Sequence, residues 1–369
     1  MQKKPFIIGI TGNIASGKSV VRQYLENLGS ITFDADLLAH RTYLKGKPAY
    51  QPIIDTFGTG ILAHDMQIDR KKLAKIVFKD EFALEKLEAI VHPEVTKMIN
   101  ALVTAAKSRI VVIEAIKLIE AGMAADCHQV WVVSADDTLR LQRLVEDRNM
   151  RISEARQRIE SQSPQVDKIT QAHQVIYTDG KFNDTYNQVN SALNDLKLPE
   201  SADEEILKLD SNFVIRPLQV WDEVDWNEFQ LKLPTGSNDK QDTFEVLAKQ
   251  SVMGLWQANT LARVAYWKME ALLALITGFA QISQNYQPDL GLAFQTWIER
   301  TAWQHLSSLL LVDEKTILQA NFNQQHYHKL DMDKDLTDFP PIRALLNKYA
   351  ITKEQVSYKR NPDFESKSI

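Results

Sequence analysis

The chain has 369 residues, a formal net charge of −5 and a single cysteine, Cys127. This length has room for two domains, and the slightly acidic balance excludes a broad basic surface, so we expect neither nucleic acid nor a membrane as partner. One cysteine excludes an internal disulfide framework and fits a reducing compartment, so we expect a cytoplasmic protein.

The first informative stretch is an apolar run at residues 6–10 followed by the loop ITGNIASGKSV. The run predicts a buried strand, and residues 19–28 predict a helix after the loop. The loop has the spacing G-x-x-x-x-G-K-S, in which backbone N–H groups and a helix N-terminus hold a phosphate chain. We assign nucleotide binding to nine consecutive residues: Gly12, Asn13, Ile14, Ala15, Ser16, Gly17, Lys18, Ser19 and Val20.

Two side chains of this loop carry chemistry. Lys18 would reach the β- and γ-phosphates, and the Ser19 hydroxyl would ligate Mg²⁺. The alternative is a turn of glycine and serine without function. The complete pattern, placed between a predicted strand and a predicted helix, argues against that alternative.

The second stretch is ITFDADLLAHR at residues 31–41, where a strand predicted over residues 30–33 precedes Asp34 and Asp36. If the strand conformation continued, both carboxylates would face the same side. A carboxylate here could accept a proton from an attacking hydroxyl or hold Mg²⁺ through water. Alternatively, one aspartate caps the following helix. We expect one aspartate to cap or support and the other to act on the substrate.

Further strands are predicted at residues 109–114, 129–133 and 174–177, with helical patterns between them. This alternation predicts an α/β fold with a parallel sheet covered by helices on both faces. In such sheets a ligand lies at the carboxyl ends of the strands. The phosphate loop and the two aspartates both follow strands, so they should meet at that edge.

The third stretch, residues 139–162, is rich in arginine. Guanidinium groups that close over a transferred phosphoryl group would neutralise its charge, and closure would exclude water. The alternative is a solvated helix face that pairs with neighbouring glutamates and aspartates. We choose the functional interpretation for Arg143 and Arg148, and ion pairing for Arg151, Arg156 and Arg158.

Together these stretches carry a resemblance. GITGNIASGKS, FDADLLAHR, IDRKKLAKIVF with LEAIVHPEV, IEAIKLIEAG, LQRLVEDR and IESQSPQVDKITQAHQVI follow one another as in dephospho-CoA kinase, over residues 6 to about 195. The resemblance implies a P-loop kinase that uses ATP and Mg²⁺ to phosphorylate the ribose 3′-hydroxyl of dephospho-CoA, the last step of coenzyme A synthesis.

The resemblance also implies roles for single residues. Asp36 matches the catalytic base, residues 12–19 match the ATP loop, and Arg143 and Arg148 match lid and nucleotide contacts over residues 143–165. A helical insertion at about residues 37–106, with Arg70 and His92, looks like the CoA-binding part. His92 precedes Pro93, which predicts a helix break there and a histidine that shapes the acceptor pocket without transferring protons.

This chain departs from the family pattern at several positions. Glu114 stands where an aspartate is usual and still offers a strand-end carboxylate to Mg²⁺ or its waters. Lys117 lies inside the segment AIKLIE, and Ala172-His173 replaces Ala-Asp near the predicted adenine pocket. The asparagine expected shortly afterwards is absent from VIYTDG. These changes weaken the predicted adenine contacts more than the predicted reaction.

The chain divides near residue 200, with domains predicted at 1–198 and 213–369 and an acidic linker at 199–212. Strands are predicted at 213–219, 251–259, 261–269, 307–313 and 355–360, and helices at 222–233, 292–306 and 316–331. The stretch 271–282 predicts a buried element. This order resembles a GNAT-type acetyltransferase, an α+β fold, but the acetyl-CoA pyrophosphate loop is missing. We therefore expect an inactive, structural or regulatory module.

Two other functions stay open. A kinase for another small nucleotide or nucleoside would share the loop and the lid, but would not require the long insertion. A non-catalytic regulator that binds a nucleotide or CoA would explain the altered segments, although Lys18, Ser19 and Asp36 together argue against it. The sequence leaves the oligomeric state open between a monomer and a small homo-oligomer.

Overall fold

The computed structural model describes residues 4–106, 108–196, 198, 207–210, 213–232, 242–257, 260–270, 273–281, 288–304, 309–313, 328–329 and 356–360. Two sheets organise these residues, one in each half of the chain. No helix within these ranges has the length and apolar character needed to span a bilayer.

The first half is built on a five-stranded sheet in the order β2-β3-β1-β4-β5, and every neighbouring pair is parallel. Its strands are β1 (Phe6–Thr11), β2 (Ile31–Asp34), β3 (Ile110–Glu114), β4 (Gln129–Ser134) and β5 (Gln174–Tyr177). Each predicted strand boundary lies within one residue of the observed one. All five carboxyl ends meet at one edge, as the alternating pattern predicts.

Nine helices of the described residues surround this sheet. They are α1 (Lys18–Asn27), α2 (Ala35–Thr42), α3 (Tyr50–Phe57), α4 (Arg70–Val77), α5 (Glu81–Ala105), α6 (Asp137–Glu146), α7 (Ile152–Glu160), α8 (Gln165–Ile169) and α9 (Phe182–Asp195). Four of them, α2 to α5, form the predicted helical insertion between β2 and β3, and their buried side chains pack into one apolar cluster.

The predicted helix break at His92 and Pro93 is wrong, because α5 continues through Pro93 without interruption. A proline inside a helix removes one hydrogen bond and costs ~3 kcal/mol or more. The neighbouring turns bury Val91, Val95 and Ile99 in the core of the insertion. Burying one such side chain stabilises by roughly 1.5–3 kcal/mol, so this apolar stripe outweighs the cost of the proline.

The second half contains an eight-stranded sheet in the order β12-β13-β11-β10-β9-β8-β7-β6. Its strands are β6 (Leu207–Asp210), β7 (Phe213–Pro217), β8 (Ser251–Gln257), β9 (Thr260–Glu270), β10 (Leu273–Gln281), β11 (Leu309–Asp313), β12 (His328–Lys329) and β13 (Val356–Arg360). Only the β10–β11 pair is parallel. With α10 (Glu223–Lys232), α11 (Thr243–Lys249) and α12 (Pro288–Gln304), this confirms the predicted α+β class.

Three predictions for this half need correction or addition. The predicted linker includes strand β6, and the predicted helix 316–331 includes strand β12; the rest of that helix lies outside the described residues. Helix α11 is missing from the prediction, because seven residues are too few for a clear helical period. Within the apolar stretch 271–282, residues 273–281 form β10, where Ala274, Leu275 and Ile276 are buried as predicted.

The two halves share one apolar core. Val21 and Leu25 of α1 belong to the same buried cluster as Trp226, Phe229 and Leu247 of the second half. Polar contacts tie the same surfaces together: the Asn27 side-chain amide donates to the Leu247 carbonyl at 2.7 Å. The back of α1 is therefore covered by the second half.

The shared core predicts that a cavity in α11 destabilises the whole chain. Leu247→Ala removes a side chain that is 2% exposed, and we expect it to lower the free energy of unfolding by roughly 2–5 kcal/mol. Leu231→Ala, at a position 66% exposed on α10, is the matched control and should change it by less than about 0.5 kcal/mol. Urea unfolding followed by circular dichroism measures both. Equal stability of the two variants would contradict a shared core.

Candidate active site at the strand ends

The phosphate loop lies between β1 and α1 and is tightly enclosed. Gly12 has φ +150°, and a Cβ on it would lie 2.3 Å from the Val133 carbonyl oxygen. Gly17 has φ +87°, and its Cβ would lie 2.9 Å from Thr178 Oγ1. Only glycine combines these backbone angles with this close approach. The two glycines of the motif are thus required by the strands and loops on either side.

Lys18 is buried at the start of α1, where its ammonium group donates to the carbonyls of Gly12 at 2.9 Å and Asn13 at 3.2 Å. Burial lowers the pKa of Lys18, while the negative charges of Glu114, Asp36 and Asp34 oppose that change. The only lysine of the motif is therefore in electrostatic contact with all three strand-end carboxylates.

The lid holds the loop through two glutamines. The Gln162 side-chain oxygen accepts from the Ile14 N–H at 2.7 Å, and that of Gln165 accepts from the Asn13 N–H at 3.1 Å. The Asn13 side chain in turn donates to the Ser163 carbonyl at 2.9 Å. Two of the amides that we expected to face phosphate are thus bonded to the lid. The motif IESQSPQ contains both glutamines, but their spacing alone does not predict a partner.

Arginines of α6 bind the loop from the other side. Arg143 donates to the Ala15 carbonyl at 3.1 Å and to the Thr178 carbonyl at 2.7 Å, and burial lowers its pKa. Arg140, which the sequence did not single out, donates to the Ile14 carbonyl at 2.9 Å. Arg148 is exposed, and its positive charge lowers the pKa of Lys18. Arg143 therefore contacts the phosphate loop, and Arg148 lies near enough for its charge to act on Lys18.

Asp34 and Asp36 have different surroundings. Strand β2 ends at Asp34, whose carboxylate accepts from the Leu37 N–H at 2.9 Å and caps α2. Asp36 lies in the first turn of that helix, so the strand does not continue past Asp34 and the condition for both carboxylates to face one side is not met. Asp36 is exposed, and its carboxylate accepts from the Ile116 N–H at 3.2 Å. One aspartate is thus used for capping, and the other is exposed within electrostatic reach of Lys18.

Ile116, whose N–H orients Asp36, is itself fixed through its carbonyl group. Its carbonyl oxygen accepts from the Thr11 hydroxyl at 2.9 Å and from the Lys168 ammonium at 3.2 Å. Thr11 ends β1 and Lys168 belongs to α8, so three parts of the fold determine where the Asp36 carboxylate lies. Sequence reasoning assigned no role to Thr11 or Lys168, because the stretches that contain them do not predict which atoms their side chains contact.

Negative charge accumulates at this edge. Burial raises the pKa of Asp34 to about 6, with a further contribution from the charge of Glu114. Desolvation by the surrounding protein also raises the pKa of Asp36, although the Ile116 N–H and Lys18 oppose it. Glu114 accepts from Arg22 Nε at 2.8 Å. Three carboxylates thus crowd the end of the phosphate loop.

Among the described residues there is no group of three or more histidine, cysteine, aspartate or glutamate side chains that could hold a metal alone. Mg²⁺ in kinase sites is typically bound by one or two protein oxygens together with substrate phosphates. The Ser19 hydroxyl and the crowded carboxylates of Glu114, Asp34 and Asp36 offer that kind of donor set. The residues therefore fit a Mg²⁺ ion that arrives with a nucleotide.

The insertion brings Arg70 to the helix that carries Asp36. Arg70 starts α4 and hydrogen-bonds Tyr43 of the α2 end. Burial lowers the pKa of His40 to about 4, and the Arg70 charge contributes. Asp36 and His40 are four residues apart, so they share one helix face. His92 lies half-buried in the middle of α5.

Comparison with known proteins agrees with this arrangement. The family model CoaE, dephospho-CoA kinase, matches residues 6–184. The dephospho-CoA kinase of Moorella thermoacetica is 39% identical over 204 residues, which cover 54% of this chain and 96% of that protein. That of Geobacter metallireducens is 42% identical over 186 residues, covering 50% of this chain and 92% of that protein. The chain belongs to the dephospho-CoA kinase family.

Two solved structures are similar to parts of this chain. TT1252 from Thermus thermophilus is 31% identical and covers 53% of this chain and 100% of its own, with a TM-score of 0.48. A GNAT-family acetyltransferase from Streptococcus pneumoniae is 12% identical and covers 32% of this chain and 87% of its own, with a TM-score of 0.26. The family model ends at residue 184, before the second sheet begins.

The departures from the family pattern have structural explanations. Lys117 pairs with Glu88 of α5 at 2.7 Å. His173 exchanges two backbone-directed hydrogen bonds with Val130 and so extends the pairing of β4 and β5. In the segment VIYTDG, the Thr178 hydroxyl donates to the Ser16 carbonyl at 2.8 Å and thereby supports the phosphate loop. At each of these positions the side chain in this chain makes a structural contact.

The carboxylate crowding predicts a measurable titration. By ¹³C NMR, the side-chain carboxyl of Asp34 should titrate near 6 in the folded chain and near its ordinary value of 3.8 in urea. Asp34→Asn, which retains the helix cap, assigns the resonance. Glu114→Gln should lower the folded value, because it removes a neighbouring negative charge.

The raised pKa of Asp34 also determines how the stability of the chain depends on pH. A carboxyl group with a higher pKa in the folded state binds more protons there, so its contribution to stability is complete below pH 3.8 and is lost as pH rises through about 6. Asp34→Asn should therefore flatten the pH dependence of urea unfolding between these values. Identical titration in the folded and unfolded states would contradict the crowding.

Proposed function

We propose that the chain transfers the γ-phosphate of ATP to the ribose 3′-hydroxyl of dephospho-CoA, which yields coenzyme A in the last step of its synthesis. The observation that carries this proposal is the position of the Asp36 carboxylate, which is exposed within electrostatic reach of Lys18 of the phosphate loop. Membership of the family supplies the acceptor. In enzyme classification the chain is then a phosphotransferase with an alcohol group as acceptor.

The proposed chemistry is an in-line displacement. Asp36 accepts the proton of the 3′-hydroxyl as the oxygen forms a bond to the γ-phosphorus, and the bond from phosphorus to the β–γ bridging oxygen breaks, which releases ADP. Desolvation raises the pKa of Asp36. A carboxylate with a raised pKa is a stronger base, so the surroundings of Asp36 favour this step.

Cationic groups at the loop would stabilise the transferred phosphoryl group. Lys18 would contact the β- and γ-phosphates, Arg143 holds the loop at the Ala15 carbonyl, and Arg148 would add charge when the lid closes. Amides within residues 12–20 would bind the phosphate chain, apart from those of Asn13 and Ile14, which bond to the lid glutamines. A Mg²⁺ ion held by Ser19 and Glu114, directly or through water, would neutralise charge on the phosphates.

The insertion would bind the acceptor. Arg70 presents an exposed guanidinium group next to the helix that carries Asp36, and a guanidinium group suits the phosphates of dephospho-CoA. His92 contributes to the shape of this pocket and transfers no proton. We place the reaction in the cytoplasm, and the chain acts there as a monomer or a small homo-oligomer.

A single assay separates this function from the alternatives. Purified chain, Mg²⁺, ATP and dephospho-CoA should produce coenzyme A, while adenosine as acceptor should give little product. Efficient phosphorylation of adenosine or another nucleoside would favour a different small-molecule kinase. Binding of both ligands without any turnover would favour a non-catalytic regulator.

The role of Asp36 predicts a separation of binding from catalysis. Asp36→Asn should lower kcat by roughly 10²–10⁴-fold, because the general base is lost, while the affinity for ATP changes little. Asp195→Asn at the exposed end of α9 is the control and should behave like the parent chain. Steady-state kinetics and isothermal titration with a non-hydrolysable ATP analogue measure the two quantities. Equal losses of turnover and ATP affinity would refute the assigned role.

A further inference from the structure

A cavity of about 580 Å³ lies at the active-site edge of the first sheet, on the side away from the catalytic carboxylates. Asp34, Asp36 and Glu114 follow β2 and β3, whereas the first-half lining of this cavity comes mainly from residues that follow β5. The phosphate loop follows β1, which lies between these two sides of the sheet.

This placement decides which part of a nucleotide the cavity would hold. In-line transfer puts the acceptor and the leaving group on opposite sides of the phosphorus. With the acceptor on the β2–β3 side, the base and ribose of the donor extend toward β5. Gly17 and Val20 of the loop and helix α1 line the cavity, so it is continuous with the phosphate site. Its volume lies within the range of ordinary ligand pockets, ~300–1,000 Å³.

The outer wall of the cavity comes from the second half of the chain. Three of its lining residues, Glu223, Asp242 and Phe244, lie on or next to α10 and α11. In the Moorella thermoacetica relative the alignment already uses 96% of the protein, which leaves no room for a counterpart of this wall. The wall is therefore an addition of this chain to the family framework.

First-half aromatic residues hold the wall in place. The Phe244 ring lies 5.5 Å from the Tyr186 ring in an edge-to-face contact, and Tyr186 makes a similar contact with Tyr24 at 5.4 Å. The Tyr24 hydroxyl, on a fully buried side chain, donates to the Phe244 carbonyl at 2.9 Å. Asp242 caps α11 by accepting from the Glu245 N–H at 2.7 Å. The wall is thus rigid relative to α1.

The charges along the cavity are graded between its two walls. The first-half wall carries Arg143 and Lys181 and leads to Lys18 at the phosphate end. The second-half wall carries two carboxylates, Glu223 and Asp242. Carboxylates accept hydrogen bonds from amino and hydroxyl groups and repel phosphates. This gradient favours a nucleoside triphosphate with its base and sugar against the second half and its phosphates in the loop.

We propose that the second half of this chain forms one wall of the base-binding end of the nucleotide site and thereby contributes to the affinity for the purine nucleoside triphosphate. This inference rests on the proposed function only for the identity of the nucleotide as phosphate donor. It gives the second half a direct part in substrate binding without any chemistry of its own.

Photolabelling of the full chain tests the geometry. After irradiation with 8-azido-ATP and proteolysis, mass spectrometry should find adducts in the peptide containing residues 242–249 as well as in that containing residues 178–185. Excess ATP should suppress both. Adducts confined to first-half peptides would overturn the proposal.

Two variants of α11 test the energetics. Phe244→Ala should weaken ATP binding roughly tenfold, as truncation of an aromatic neighbour of a base does, and should leave tripolyphosphate binding unchanged. Leu247→Ala is the matched control, because Leu247 is buried in the shared core and does not line the cavity. It should lower stability without changing the ratio of the two affinities. Calorimetry measures both ligands, and an unchanged ratio in Phe244→Ala would overturn the proposal.

These outcomes are separable from those of the proposed function. A chain that binds ATP through the wall but makes no coenzyme A refutes the reaction and retains the wall. A chain that makes coenzyme A with the same KM for ATP in Phe244→Ala refutes the wall and retains the reaction.

Discussion

Helix α1 is the element on which the rest of the molecule depends. Its first turn must present Lys18 and Ser19 at the end of a loop that has no space for a side chain at Gly12 or Gly17. Its opposite face must stay out of water, and Val21 and Leu25 are fully buried there. A small rotation of the helix would disturb both conditions together. Packing of the second half against α1 therefore also stabilises the geometry of the phosphate site.

At the catalytic edge, segments that are far apart in sequence together determine the position of one side chain. Asp36 is oriented by the Ile116 N–H, and the Ile116 carbonyl is held by Thr11 and Lys168. Each contact is an ordinary hydrogen bond worth roughly 0.5–1.5 kcal/mol net. Their value lies in the restriction of one carboxylate to one position, because proton transfer requires the base within hydrogen-bond reach of the attacking hydroxyl.

Much of the fold of the first half, and part of its candidate site, could be predicted from local sequence. The five parallel strands are short apolar runs between helical patterns, and the phosphate loop has a spacing that few other structures require. The capping role of one aspartate also followed from its place before a helix, although only the structure shows that Asp34 has that role.

The remaining features depend on contacts between distant segments. Helix α5 continues through Pro93 because its side chains are buried by tertiary contacts, which helix propensity does not include. The lid glutamines and Arg140 bind loop atoms more than a hundred residues away in sequence. Hydrophobic periodicity does not reveal that the two halves share a core, because a helix has the same apolar pattern whichever partner covers its apolar face.

The shared core also has a consequence for how the chain is made. A ribosome adds roughly 5–20 residues per second and releases the N-terminal part first. The apolar back of α1 is therefore complete long before Thr243–Lys249 and Ser251–Gln257 leave the exit tunnel to cover it. During that interval the nascent chain exposes the apolar back of α1, and exposed apolar surface makes incomplete chains prone to aggregation. A fragment that ended near residue 200 would keep this surface exposed.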